Sequence, residues 1–403
     1  MPNVPAIYEE VGVPTVINAA STKTRIGGSL IRPEAADAMR DAAGAFVRIS
    51  DMQARASELI AEVTGADAGY VASGAAACLT LGTAACIAEN DLAVMNRLPD
   101  TEGIPSEVVM PRTHRNGYDH AIRASGATIV DVGNNDVHVG TGSNDVEPWE
   151  IEAAITEETV AIAYMQKPYL TPSLEEVVEI AHANDVYVIV DAAAELPPAE
   201  NLQKFVDAGA DLVAFSGGKA IRGPQTTGII AGRKHLIQSM ALQHLDMHVA
   251  EDVWEPPASL IDADSFEGVP RQGIGRAFKT GKEELAGIIK ALELFVEEDQ
   301  DALLAEWNEL TDLVYEQLSG VEGVELERTP GAKTDASPTV VVTLDEPTVG
   351  ITASELVYEL RQETPRIFVG CDHLERAQFT VNPMCLTAEE ASYLVDRVLS
   401  YLS

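Results

Sequence analysis

FSGGKAIRGPQTTGII, residues 215–230, sets one lysine, Lys219, among glycines and small polar residues. Ahead of it DLVAF (211–215) is a short apolar segment of strand character, and behind it TGIIAG (227–232) reads as another. Lys219 therefore falls on a tight, glycine-rich turn between two strands. A lysine kept for solubility needs no such setting. One that must place its amine at a fixed point inside a cleft does.

Outward from this turn, short apolar strands alternate with helical stretches from about residue 66 to 235. AGYVAS precedes AAACLTLGTAACIA, SEVVM precedes GYDHAIRAS, and ATIVDV precedes PWEIEAAI; TVAIAYM, SLEEVVEIAHAN, VYVIVDAA, NLQKFVDAG, DLVAFS and TGIIAG continue the pattern. This alternation predicts an α/β fold with a mostly parallel sheet and helices on both faces, whose ligands sit at the carboxyl ends of the strands. After residue 275 a long helical region leads to the strands PTVVVTL, RIFVG and QFTVN and the helices ASELVYELRQE and AEEASYLVDRVLSYL. The expected organisation is a large domain over residues 61–280 and a small α+β domain over 281–403, completed by an N-terminal segment, residues 1–60. EDVWEPPASLIDADSFEGVPRQGIG (251–275) is the candidate for a long functional loop.

Composition narrows the partners. The 403 residues carry 64 acidic against 27 basic side chains, a net charge of −37. A chain so charged repels nucleic-acid phosphates and anionic membranes unless a basic patch intervenes, and no run of basic residues supplies one. The acidic residues are dispersed, as on the solvated surface of a folded protein, and with so little lysine they imply adaptation to high salt. MPNVPAIYEEVGVP has no leader pattern, and no segment approaches the roughly 18 apolar residues of a membrane span, so a cytoplasmic protein is expected. Cys78, Cys86, Cys371 and Cys385 lack zinc-ligand or disulfide spacing, and the first two, eight apart on an apolar helix, read as core. No metal site is expected.

Twenty-eight residues before Lys219, VYVIVDAAAE ends a continuous apolar strand in Asp191. One helix and one strand fit between the two positions, so acid and lysine reach neighbouring strand ends. Pyridoxal phosphate asks for that pair: its aldehyde takes a lysine as a Schiff base, while a carboxylate keeps its ring nitrogen protonated. Its phosphate wants backbone N–H groups at a helix N-terminus, and VASGAAACL offers Ser73, Gly74 and Ala75, with the Ser216 hydroxyl to help. His114 in MPRTHRNGYDH could stack on one face of the ring and Ala193 lie on the other. Each feature has an ordinary reading, as helix start, turn acid or loop histidine. It is their order, all at strand ends, that points to the cofactor.

DLVAFSGGKAIRGPQTTGIIAGR closely resembles the cofactor-lysine motif of the selenocysteine synthase (L-seryl-tRNA selenium transferase) family of fold type I pyridoxal-phosphate enzymes. TVINAASTKTRIGG, ELIAEVTGADAGYVASGAAACL, VIVDAAAELPP and IGRAFKTGKEELAGIIKALE are similar to the same family in the same order. The resemblance implies Lys219 as the Schiff-base lysine, Asp191 as partner of the ring nitrogen, Ser73 to Ala75 as phosphate loop and His114 as stacking residue. It also implies Arg276 and Lys279 toward an anionic substrate group, Arg366 toward a carboxylate, and Arg25 in TVINAASTKTRIGG toward the substrate.

The tRNA-gripping N-terminal module of the selenium transferases is not seen ahead of TVINAAS, so a small-molecule enzyme is expected. HRNGYDHAIRASGA, PRIFVG and VNP fit the branch similar to D-glucosaminate-6-phosphate ammonia-lyase. The implied reaction is α,β-elimination from a hydroxylated, possibly phosphorylated, amino acid or amino-sugar acid, giving a 2-oxo acid and ammonia. Racemase or aldolase chemistry is the alternative, with tRNA-directed selenium transfer or a non-catalytic binding protein behind it. A desulfurase would need a mobile cysteine, for which Cys371 is the candidate. Enzymes of this fold build each site from two subunits, so a homodimer or higher homo-oligomer is expected.

Overall fold

A computed structural model describes the chain except residues 1–4, 141–144, 168–169, 267, 270, 272, 330–336 and 403. Its strands are β1 Val16–Ala19, β2 Ala68–Ala72, β3 Glu107–Pro111, β4 Thr128–Val132, β5 Thr159–Met165, β6 Tyr187–Asp191, β7 Leu212–Ser216, β8 Gly228–Gly232, β9 Val324–Thr329, β10 Thr339–Leu344, β11 Arg366–Val369 and β12 Gln378–Val381. Two compact units result, one of residues 31–297 and one of residues 1–30 with 298–403.

The larger unit is built on a seven-stranded sheet of order β2-β8-β7-β6-β5-β3-β4. β8 runs antiparallel to β2 and β7, and the remaining pairings are parallel. Both faces are covered, as a largely parallel sheet requires. Successive residues of each strand divide between two apolar cores: Tyr70, Met110, Ala163, Ile189 and Ala214 face one, and Val71, Val109, Tyr164, Val190 and Phe215 the other. The helix Ala75–Ala88 is buried almost all round, with Cys78 and Cys86 inside the first core.

Residues 31–60, assigned from sequence to the small domain, lie in the larger unit. Helix Lys282–Glu297 lies there too, packed on helices Pro33–Ala42 and Ile49–Thr64. Gly287 permits that closeness: a Cβ there would meet Met39 Cγ at 2.7 Å and Pro224 Cγ at 2.8 Å. The single long helical region read after residue 280 breaks at Asp299, whose carboxylate caps helix Gln300–Leu318 by accepting the Asp301 and Ala302 amides. The break coincides with the passage from one unit to the other.

The smaller unit holds two sheets, β12-β10-β9 and the parallel pair β1-β11, over a core that includes Ile17, Val342, Leu356, Ile367 and Val395. β9 was not anticipated: VELERT is largely solvent-facing and shows no apolar run, and its pairing with β10 alone makes it a strand. β1, by contrast, is the TVINAAS segment, paired in register Val16 with Arg366 to Ala19 with Val369.

Candidate active site

Register brings the motifs of the larger unit to one end of its sheet. Ala72, Gly228 and Ser216 stand in one cross-strand row, and Ala214, Asp191 and Met165 in the row beside it. Ser73, Lys219 and Asp191 therefore leave the sheet at the same end, through β2, β7 and β6. The turn that carries Lys219 is compact because glycine lets its two halves touch. A Cβ on Gly217 would sit 2.2 Å from Thr227 Oγ1, and one on Gly218 2.4 Å from Gln225 Cα. The Gly217 amide donates to Thr227 O at 2.9 Å, and the Gly223 amide to Gly217 O at 2.8 Å. A brace that sequence reading missed is Arg32. Buried at the start of its helix, it donates Nε to Ile221 O at 3.1 Å and its amide to Arg222 O at 2.9 Å.

Asp191 ends β6 half-buried, its Oδ1 accepting the Ala193 amide at 3.1 Å. Burial pushes its carboxyl above the ordinary value; the Ala193 amide and then the charges of Lys219 and Lys167 pull the other way, and Glu195 adds to the rise. Asp191 also lines a small cleft with Asn116, Tyr118, Met165 and Ile189. A cation brought to Asp191 would relieve its desolvation.

The phosphate loop differs in detail from the expectation. The Ser73 amide donates to Phe278 O at 3.1 Å and the Gly74 amide to Ala72 O at 2.8 Å, so both are already engaged. The first turn of helix Ala75–Ala88 is the remaining donor group: the amides of Ala75, Ala76 and Ala77 have no intrahelical acceptor, and Ser73 is exposed beside them. Gly228, also missed, lets β8 lie against this turn. A Cβ there would stand 2.3 Å from Gly74 C and 2.4 Å from Ala75 N.

His114 does not present a stacking face. It is fully buried, its ring edge-on to Tyr164 with centroids 4.6 Å apart. Nδ1 accepts the Met165 amide at 3.3 Å, and Nε2 has no partner among the described residues. Burial lowers its pKa to about 4, so the ring is neutral. The Tyr164 ring and the Met165 amide, which the sequence could not reveal as its neighbours, hold it behind the residues that line the cleft. Asn116 and Tyr118, from the same loop, line the opening instead.

Arg276 belongs to the short turn Ile274–Phe278, and Lys279 follows it. The bond from Ser73 to Phe278 O ties this segment to the phosphate loop. Both cations act on His244, whose pKa falls to about 4 through burial first and then through Arg276 and Lys279. His244 Nδ1 and the buried Tyr70 hydroxyl are 2.9 Å apart. Ser216 and Ala193 are half-buried at the same sheet end.

In the smaller unit Arg25 lies exposed on the turn Thr24–Ile26 beyond the C-terminal end of β1, while Arg366 opens β11 at the other end of the pair. Cys371 accepts a hydrogen bond from Arg361 Nη2 at 3.3 Å in the same unit. No helix among the described residues is long and apolar enough to cross a membrane.

Whether these residues suit pyridoxal phosphate turns on three features: first-turn amides without intrahelical acceptors at the N-terminus of a buried helix, a desolvated carboxyl at a strand end on the same side of the sheet, and a lysine whose charge that carboxyl feels. All three fit. The fold is that of a fold type I pyridoxal-phosphate enzyme. The chain belongs to the aminotransferase class-V family, which matches residues 119–352.

It is 31% identical over 402 residues to a D-glucosaminate-6-phosphate ammonia lyase of Salmonella typhimurium, covering 98% of this chain and 97% of that one. A solved structure of a D-glucosaminate-6-phosphate ammonia-lyase superimposes with a TM-score of 0.80 at 30% identity over 99% of each chain. A 5'-C-glycyluridine monooxygenase-decarboxylase of Streptomyces is 29% identical over 97% of this chain and 90% of its own. An L-seryl-tRNA(Sec) selenium transferase of Nitratidesulfovibrio vulgaris is 29% identical over 53% of this chain and 47% of its own.

Proposed function

We propose that the protein is an ammonia-lyase that removes an α-proton and a β-hydroxyl from a small hydroxylated amino acid or phosphorylated amino-sugar acid, releasing a 2-oxo acid and ammonia. The observation that carries it is Asp191, a desolvated carboxyl at a strand end within the field of Lys219, in a chain similar over its whole length to an ammonia lyase. When bound, pyridoxal phosphate supplies an electron sink for negative charge at the substrate's α-carbon.

The chain's own residues do the rest. The first-turn amides of Ala75 to Ala77 and the Ser73 hydroxyl would hold the phosphate, and Asp191 a proton on the ring nitrogen. Lys219, fixed on its glycine turn, would anchor the cofactor and then carry the α-proton on Nζ. Ala193 leaves room beside the ring. Arg276 and Lys279 would meet a distal anion of the substrate, and Arg366 its carboxylate. We further propose adaptation to high salt, on the strength of the −37 charge, and a cytoplasmic homo-oligomer, as the resemblance to two-subunit enzymes of this fold implies.

The test is Lys219→Ala with a panel of D- and L-hydroxyamino acids and amino-sugar acids, assayed for ammonia and 2-oxo acid. The reading requires that wild-type protein bind the cofactor with a visible absorbance band and release ammonia from one substrate, and that the variant lose both. Turnover without Lys219 sinks it. A substrate-induced spectral change without ammonia moves the chain to racemase or aldolase chemistry.

A further inference from the structure

Lys167 and Glu195 form an ion pair of 2.6 Å with side chains only 14% and 12% exposed. Neither enters the mechanism above. Lys167 lies two residues beyond Met165, the register partner of Asp191, and the intervening Gln166 amide donates to Asp191 O at 3.0 Å. Glu195 is the fourth residue after Asp191; its amide donates to Ala192 O at 3.1 Å and its carbonyl accepts from Asn201 Nδ2 at 2.6 Å. Both partners are thus fixed by the backbone that fixes Asp191.

A nearly buried ion pair is weak support for stability, because desolvating two charges cancels most of their attraction. Its position is more telling. The charges felt at Asp191 come from Lys219 on the turn after β7, Lys167 after β5 and Glu195 on its own loop. The other titratable groups of the cleft are engaged or phenolic: Asp119 is paired with Arg115, and Tyr164 donates to Pro172 O at 3.1 Å beside Tyr118. Lys219 changes its protonation state as its amine does chemistry. Lys167 does not.

We propose that Lys167, held in place by Glu195, is a positioning residue that keeps the Asp191 carboxylate ionised and oriented toward the cofactor's ring nitrogen while Lys219 is occupied. This rests on the proposed role of Asp191. The two partners act on it with opposite sign: Lys167→Met leaves Glu195 as an uncompensated anion nearby, and Glu195→Gln leaves Lys167 as an uncompensated cation. A purely structural pair would respond to both changes alike.

The experiment titrates the visible absorbance of the bound cofactor with pH in the holoenzyme, and measures cofactor Kd, for Lys167→Met, Glu195→Gln, the double variant and Asp191→Asn. The apparent pKa of the spectral transition should rise by about one unit in Lys167→Met and fall by a similar amount in Glu195→Gln, with the double variant, which restores neutrality, close to wild type. Shifts of the same sign, or none in either single variant while Asp191→Asn alters spectrum or Kd, overturn the proposal. An Asp191→Asn protein with unchanged spectrum and Kd overturns the role of Asp191 and this proposal with it.

Discussion

Replacing Gly228 with alanine tests whether β8 is the backing of the phosphate loop. The added Cβ would lie 2.3 Å from Gly74 C, 2.4 Å from Ala75 N and 2.7 Å from Gly74 O. All three are backbone atoms, so no side-chain rotation relieves the overlap. Ordinary contact begins near 3.4 Å, and the start of helix Ala75–Ala88 or the end of β8 must give by roughly 1 Å. Overpacking of this kind costs about 1–3 kcal/mol. Spent on displacing the first-turn amides, that is about 5- to 150-fold in the Kd of pyridoxal phosphate, measurable by titrating apoprotein and following the visible band.

Gly232→Ala is the matched control, for its Cβ would come within 2.0 Å of Asp211 O at the opposite end of the same strand. It should lower thermal stability comparably and leave cofactor affinity within about twofold. If Gly228→Ala binds the cofactor as wild type does, or if Gly232→Ala weakens it equally, the assignment of the helix turn as phosphate site is wrong.

Acid should destabilise the larger unit through its two buried histidines. His114 and His244 sit at about 4 in the folded chain against an ordinary 6.5, so the unfolded chain binds more protons between those values. Their contribution is fully present above about pH 6.5 and is lost as pH falls toward 4, at up to roughly 1.4 kcal/mol per pH unit for each. Melting temperatures of wild type and His244→Asn between pH 7 and 4 should converge; parallel curves refute this. Salt should act in the other direction: screening the −37 charge by going from 0.1 to 2 M KCl should raise the melting temperature by at least about 5 °C, and a fall would contradict the habitat inferred from composition.

Much of the site was legible because its makers leave local marks. Lys219 stands among glycines whose need is steric, and Asp191 terminates an uninterrupted apolar strand; both signals are short-range. What escaped depends on distant partners. His114 reads as a loop residue in RTHRN, and only the packing of Tyr164, fifty residues on, closes over it. Gly228 looks like any strand glycine until β2 brings Gly74 against it. Lys167 and Glu195 resemble the dispersed surface charges around them, since sequence does not distinguish a paired, shielded acid from the other acidic residues of the chain. Residues 31–60 were misread because their partner, helix Lys282–Glu297, lies far along the chain, and β9 was missed because VELERT shows no apolar run.

The antiparallel return of β8 has a consequence for the order in which the molecule assembles. Ser216 and Gly228 pair across a single short connection, so the turn bearing Lys219 closes at small entropic cost. Ala72 and Gly228 meet only when segments some 150 residues apart in the chain find each other, the slower kind of event. The lysine is thus in place before the cradle for the phosphate exists. A nascent chain can offer the cofactor its reactive amine early, but grips it only once the long-range half of the sheet has formed, so tight cofactor retention reports the completion of folding.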